Sequence, residues 1–245
     1  MAIEPLHPDT DAGGGDPTPK TTKGTTLTTR GLRTRRKLLD AAEEVFADLG
    51  YPDASIVKIT ELAGCGLGTF YLYFEGKKEI FNEVVVDLNR RVRRAMTDAA
   101  QEAAPTGRIA SERAGFRAFF RFTAEHPALY RIVRQAEFAS PEALRLHYSR
   151  IVDGYAQGIE EGQRAGEVHG MDPEVVAWAL MGIGEIIGMR WVLWPHESGD
   201  GPQTGKSASG SAAPEVPDHV FDTMMEFIER ALAPAPVEQN GAGDA

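Results

Sequence analysis

Residues 55–74 read SIVKITELAGCGLGTFYLYF. Ser55 offers a side-chain oxygen to cap a helix, and Ile56, Ile59 and Leu62 follow at helical spacing. Gly64 ends that helix, and Gly64-Cys65-Gly66-Leu67 forms a turn leading into a second short segment, Gly68 to Phe74. Small residues at such a turn let two helices meet at a steep angle, and Ala63, Gly64 and Gly66 supply them. Ile59, Leu62, Cys65, Phe70 and Phe74 are expected to face a small core with Phe46 and Leu49, which leaves Leu67, Gly68, Thr69, Tyr71 and Tyr73 on the outer side. A helix–turn–helix of this kind places its second helix in the major groove of a duplex and its first across the backbone.

Working outward, Leu39, Ala42, Phe46 and Leu49 share one stripe of a helix that runs from about Arg30 and stops at Gly50. On the other side, Ile80, Phe81, Val84, Leu88 and Val92 mark a long helix over Lys77–Ala103, closed by Pro105 and Gly107. Further helices are predicted over Arg108–Glu125, Pro127–Phe138, Pro141–Ala165, 173–193 and Asp218–Leu232, several opened by proline in the first turn. No alternating strand pattern or internal repeat occurs. The expected architecture is all-α, with a three-helix helix-turn-helix head over residues 29–76 and a helical bundle over 77–232. Residues 1–28 and 233–245 read as disordered tails, and the Gly/Ser-rich stretch 196–216 reads as a flexible linker.

The net charge of −10 masks a polarised chain. Residues 1–16 carry four acids and no Lys or Arg, residues 17–97 carry 14 basic and 10 acidic side chains, and residues 98–245 carry 12 and 22. Between Lys20 and Lys37 stand seven Lys/Arg and no acid. Charges beyond a Debye length of ~8 Å are screened, so this local basic field governs encounter with a polyanion. The single cysteine excludes an internal disulfide and a cysteine-built zinc site, and suits a reducing cytoplasm. The six histidines are scattered, so no metal site is expected, and no phosphate loop, nucleophile elbow or paired-carboxylate motif appears. No cofactor and no catalytic residue are expected. No apolar run of membrane-spanning length and no export signal are read.

The stretch ITELAGCGLGTFYLYFEGKKEIF, residues 59–81, resembles the DNA-binding signature of the TetR (tetracycline repressor-like) family: an Ala-Gly, a Gly-Thr-aromatic-Tyr, an aromatic-Phe, and a lysine opening the next helix. The likeness extends over roughly residues 30–90. It implies that Ser55 presents a helix N-terminus to a phosphate, that Thr69 and Tyr71 reach base edges, and that Tyr73 and Lys77 hold phosphates. Arg33, Arg36 and Lys58 complete the expected DNA-facing set, and Arg30 and Arg35 stand beside them. Lys20 and Lys23 read as solvated charges on the tail. Two departures concern the recognition helix, whose N-cap position is Gly66 and whose next residues, Leu67 and Gly68, lack long hydrogen-bonding side chains. Reading of the operator through van der Waals contact and DNA shape as well as hydrogen bonds follows.

The resemblance further implies a homodimer built on the last two helices and an effector pocket in the second half. The helix 173–194, with Ala177, Gly182, Gly184 and Gly188, is apolar around its circumference and suited to close packing. Phe120, Tyr130, Tyr155, Trp178 and Met181 are the expected pocket residues. Glu185, alone among apolar neighbours, needs a partner: Arg190, another arginine, or a polar ligand group. The implied function is a cytoplasmic regulator, most readily a repressor released from a double-stranded operator by a small apolar or amphipathic effector. The alternative is a carrier or enzyme that uses the cavity without specific DNA binding.

Overall fold

The computed structural model describes residues 19–194 and 216–234. The expected tail over 1–18, the linker over 196–215 and the tail beyond 234 lie outside the described residues. Nine α-helices run along the described chain: α1 (Thr29–Asp53), α2 (Ile56–Ala63), α3 (Leu67–Phe70), α4 (Lys77–Ala103), α5 (Arg108–Glu125), α6 (Ala128–Ala139), α7 (Pro141–Arg164), α8 (Pro173–Gly188) and α9 (Asp218–Leu232). A 3-10 turn, Ala104–Thr106, joins α4 to α5, and a π-helical stretch, Met189–Leu193, extends α8. Among the described residues the chain divides into two compact units, separated between Phe81 and Asn82.

In the first unit, the Thr28 hydroxyl caps α1 by accepting from the Gly31 amide. Gly50 breaks the helix with φ 77° and ψ 160°, a conformation that a side chain disfavours. The buried face carries Leu38, Leu39, Ala41, Ala42, Val45 and Phe46. Leu49 was expected in that core but is 41% exposed, because helical periodicity ends at the next residue. Leu62 is likewise exposed. The inward stripe of α2 runs through Ile56, Ile59, Thr60 and Ala63, which are the i, i+3, i+4 and i+7 positions, and Leu62 falls off it. Phe46 stacks on Tyr51 and meets Phe81 edge-on at 5.1 Å. Phe70 and Phe74 are fully buried.

Residues 19–28 were expected in the disordered tail, but they are folded. Lys20 and Thr26 form an antiparallel bridge, the Leu27 amide donates to the Pro19 carbonyl, and Leu27 is buried.

In the second unit, helix starts and stops follow the local punctuation. Asp172 caps α8, and Pro173 stands in its first turn. Phe116, Phe120, Ile159, Leu180, Val192 and Phe221 belong to one buried cluster that also takes in Met225 and Ile228 of α9. Val216, assigned from sequence to the linker, is buried in the same cluster. One expectation fails on composition: Pro173–Leu193 is a 21-residue helix with mean hydropathy 1.5, long and apolar enough to cross a membrane. Glu174, Glu185 and Arg190 interrupt the apolar run, while the aliphatics between them keep the average high. Only 28% of its apolar window is buried within the single chain, so the expectation of burial on several sides is not met by one copy.

Candidate nucleic-acid interface and effector chamber

The head is set by two turns. Ser55 caps α2, its hydroxyl accepting from the Lys58 amide at 3.2 Å. Gly64 ends α2 in the left-handed conformation (φ 66°, ψ 38°), and the Cys65 amide returns to the Thr60 carbonyl at 3.0 Å. That closure re-aims the chain for α3, whose regular part is only four residues long. Its helical path continues as tightened turns, with the Tyr73 and Phe74 amides both donating to the Phe70 carbonyl. The recognition segment is therefore shorter in regular helix than the seven residues read from sequence. Gly66 at its start has no side chain to cap it.

Leu67, Gly68 and Tyr71 are exposed, and Thr69 and Tyr73 are half-buried. The inward Phe70 meets the Tyr71 ring edge-on at 5.4 Å, holding the outward phenol at a fixed angle. Arg35 lies over the Phe74 ring at 5.2 Å and so braces α1 on this segment. Arg33 and Lys58 are exposed. Arg36 is exposed but paired with Asp40 one turn on, at 2.6 Å, a surface contact weak enough to exchange for another anion.

Lys77 departs from its expected role. Its ammonium donates to the carbonyls of Tyr51 (2.8 Å), Ala54 (2.9 Å) and Pro52 (3.3 Å) and sits 4.6 Å from the Tyr51 ring centroid. An ammonium has three donors, and all three are spent on the end of α1. In this structure it caps the end of α1. Cys65 is half-buried, and burial pushes its thiol up, away from the thiolate that redox sensing would need.

The second unit holds a chamber lined by Met96, Phe116, Phe119, Leu129, Tyr130, Val133, His147, Tyr148, Ile151, Tyr155, Met181, Gly184 and Glu185. Of the six residues expected from sequence, Tyr130, Tyr155, Met181 and Glu185 are brought together here. Phe120 and Trp178 are not. Phe120 packs in the core against Phe221, and Trp178 is 45% exposed with its ring 6.1 Å from Tyr148. Among the described residues, Glu185 is ion-paired with neither Arg190 nor another arginine. The Tyr148 hydroxyl reaches its carboxylate, 3.2 Å from each oxygen, and the Tyr130 hydroxyl donates to its backbone carbonyl at 3.2 Å. Burial and the neighbouring carboxylate hold both phenols neutral, well above the ordinary tyrosine range.

His147 and Tyr148 were missed from sequence, although Tyr148 and Ile151 stand seven and four residues before the expected Tyr155, on the same face of α7. The buried His147 ring and backbone carbonyl both receive the Asn89 side-chain amide of α4, at 3.1 and 2.9 Å. Burial lowers the imidazole to about 4. Free space in the chamber is about 40 Å³, room for a few waters only. A neighbouring cleft of about 290 Å³ shares Met96, Ile151 and Tyr155 with it and adds Arg93, Arg108, Arg150, Glu112 and Glu161. Arg108 is ion-paired to the buried Glu112, whose carboxyl burial pushes up against the pull of that guanidinium. No His/Cys/Asp/Glu cluster among the described residues could hold a metal ion.

The head is that of a helix-turn-helix DNA-binding protein. Residues 38–84 match the family model for bacterial regulatory proteins of the tetR family. The chain is 31% identical over 170 residues to the uncharacterised HTH-type transcriptional regulator YdgC of Bacillus subtilis, spanning 68% of this chain and 85% of that one. To the fatty acid metabolism regulator protein of the same organism it is 27% identical over 164 residues, 64% of this chain and 82% of that one. The solved fatty acid degradation regulator FadR from Bacillus halodurans has the same fold, with TM-score 0.63 at 17% identity over 80% of this chain and 94% of that chain. The chain belongs to the TetR family of transcriptional regulators; it is a DNA-binding regulator and not an enzyme.

Proposed function

We propose that this regulator is a repressor that binds its operator as a homodimer and leaves it when an amphipathic small molecule enters the chamber. The observation that carries the effector reading is the state of that chamber. It is ringed by aromatic and aliphatic side chains around one carboxylate, yet nearly filled by them. A ligand of any size must displace its walls, and one wall is Met96 of α4. That helix spans Lys77–Ala103 and so has residues in both units. The Asn89–His147 bonds tie the same helix to the α7 wall.

An apolar tail suits the chamber, and the adjoining cleft, with three arginines against two glutamates, suits an anionic or strongly polar head. The names of two relatives, regulators of fatty acid metabolism and degradation, support an effector of fatty-acyl character. Glu185 disfavours a second anionic group deep in the chamber and favours a hydroxyl there. On the DNA side, Thr69, Tyr71, Leu67 and Gly68 would meet the groove, while Ser55, Lys58, Tyr73, Arg33 and Arg36 would meet phosphates.

The test is direct. The full-length protein selects its operator from fragmented genomic DNA, and that duplex, dye-labelled, is titrated by anisotropy with saturated fatty acids of eight to eighteen carbons and their thioesters. Release by the long members at micromolar concentration is expected, with a matching rise in Tm. Stabilisation and release by small polar compounds alone would overturn the effector reading.

A further inference from the structure

The segment Pro19–Leu27 is a small hairpin whose tip is fastened to the end of the recognition segment. Around the turn, the Thr21 amide donates to the Thr25 carbonyl and the Gly24 amide to the Thr21 carbonyl, both at 2.8 Å. At the tip, the Thr22 amide donates to the Leu72 carbonyl and the Thr22 hydroxyl to the Tyr71 carbonyl, each at 3.0 Å. At the base, Leu27 is buried, and the next residue, Thr28, caps α1.

Lys20 and Lys23 ride on this hairpin. Both are exposed, and neither is in an ion pair among the described residues. No acid occurs between Asp16 and Asp40, and the remaining hairpin side chains include four threonines. Such a composition buries almost nothing and needs a reason to be held in place. The carbonyls that hold it belong to Tyr71 and Leu72, so Lys23 stands next in sequence to a residue bonded directly behind the expected groove-reading side chain.

We infer that this hairpin is a second DNA-contact element, on which the Lys20 and Lys23 ammonium groups neutralise backbone phosphates flanking the base pairs met by Thr69 and Tyr71. The partner is duplex DNA because the charge is uniformly positive and continuous with the recognition segment, and because lysine and threonine are ordinary phosphate donors. Phosphate contacts of this sort add affinity and fix register without reading sequence. The inference rests on the DNA-binding reading of the head and extends its footprint outward.

The test uses the full-length protein, the duplex it selects from a random pool, and a Lys20→Gln/Lys23→Gln double variant. Each neutralised phosphate contributes about 0.9 to the slope of log affinity against log salt. Two lost contacts per head should flatten that slope by about 1.8 for every head bound, weaken binding at least tenfold at low salt, and leave base preferences unchanged. Hydroxyl-radical footprinting should show protection lost at the outer edge of each half-site and kept at its centre. The Lys20→Arg/Lys23→Arg variant should restore both, and Thr22→Val, which removes the hydroxyl donor to Tyr71, should blur the outer edge while retaining both charges. An unchanged slope and footprint in the glutamine variant would overturn the hairpin's role. Failure of the unaltered protein to select any duplex would instead overturn the reading beneath it.

Discussion

Tyr71 concentrates the argument about DNA at a single side chain. Its ring is 47% exposed and rests edge-on against the buried Phe70, so it is positioned without being part of the core. Tyr71→Ala should therefore leave helix content and Tm unchanged while costing about 1–3 kcal/mol of operator binding, a loss of roughly five- to 150-fold by anisotropy. His147 is the opposite case, visible only in a thermal measurement. Its imidazole, 6.5 in the unfolded chain, is lowered to about 4 by burial. Between those values the unfolded chain binds more protons, so the stabilisation is complete above about pH 6.5 and is lost as pH falls toward 4. The full extent is roughly 3 kcal/mol. Tm should drop steeply between pH 6.5 and 4.5, and His147→Gln should flatten that slope; a slope unaltered by the substitution would assign the acid sensitivity to other groups. The sequence marked Glu185 as a carboxylate needing a partner, but not which one. Tyr148 lies 37 residues away on another helix, and only the packing of α7 against α8 brings the phenol to it.

At the scale of elements, what was legible is what local chemistry decides. Gly50, Gly64, Gly107, Pro141 and Pro173 end or open helices in the structure where the sequence placed those events, because each acts through its own backbone. The hairpin at 19–27 was not legible. Its composition reads as disorder, and the bonds that fix its tip join residues 49 and 50 positions apart. The carbonyl contacts of Lys77 were not legible for a related reason. Its place at the start of α4 matched a phosphate-holding pattern, while the three carbonyls it caps lie more than twenty residues upstream. Lys77→Met should accordingly act on stability. Leaving those carbonyls without a charged donor costs about 2 kcal/mol, a fall in Tm of about 4–8 °C for a chain of this length. The salt slope of operator binding should not change. A flattened slope with unchanged Tm would return Lys77 to the phosphate backbone.

For the whole molecule, the unsolved term is α8. Val175, Trp178, Ala179, Gly182 and Ile186 are all exposed and fall at i, i+3, i+4, i+7 and i+11, one continuous face with no charge on it. Val175, Trp178 and Ile186 expose 64%, 45% and 58% of their surface, and Phe227 of α9 exposes 63%. A chain does not leave such a stripe in water without cost, at about 25 cal/mol per Å² of apolar surface. A lipid bilayer would cover it, but α8 also carries Glu185 hydrogen-bonded inside its own unit and shares its buried side with α5, α7 and α9, as a core helix does. In the homodimer proposed above, a second copy would cover it with the same face reversed, Gly182 allowing the two helices to approach closely. Such a dimer would carry two heads, as reading two half-sites about 34–36 Å apart requires. Ile186→Glu places a charge on that face and should give monomers by sedimentation, with the Tm of each chain nearly kept. Operator affinity should fall by a factor on the order of 10²–10⁴, the avidity lost when one head binds alone. If Ile186→Glu sedimented as a dimer with full operator affinity, the α8 face would have to be covered by something other than its own copy.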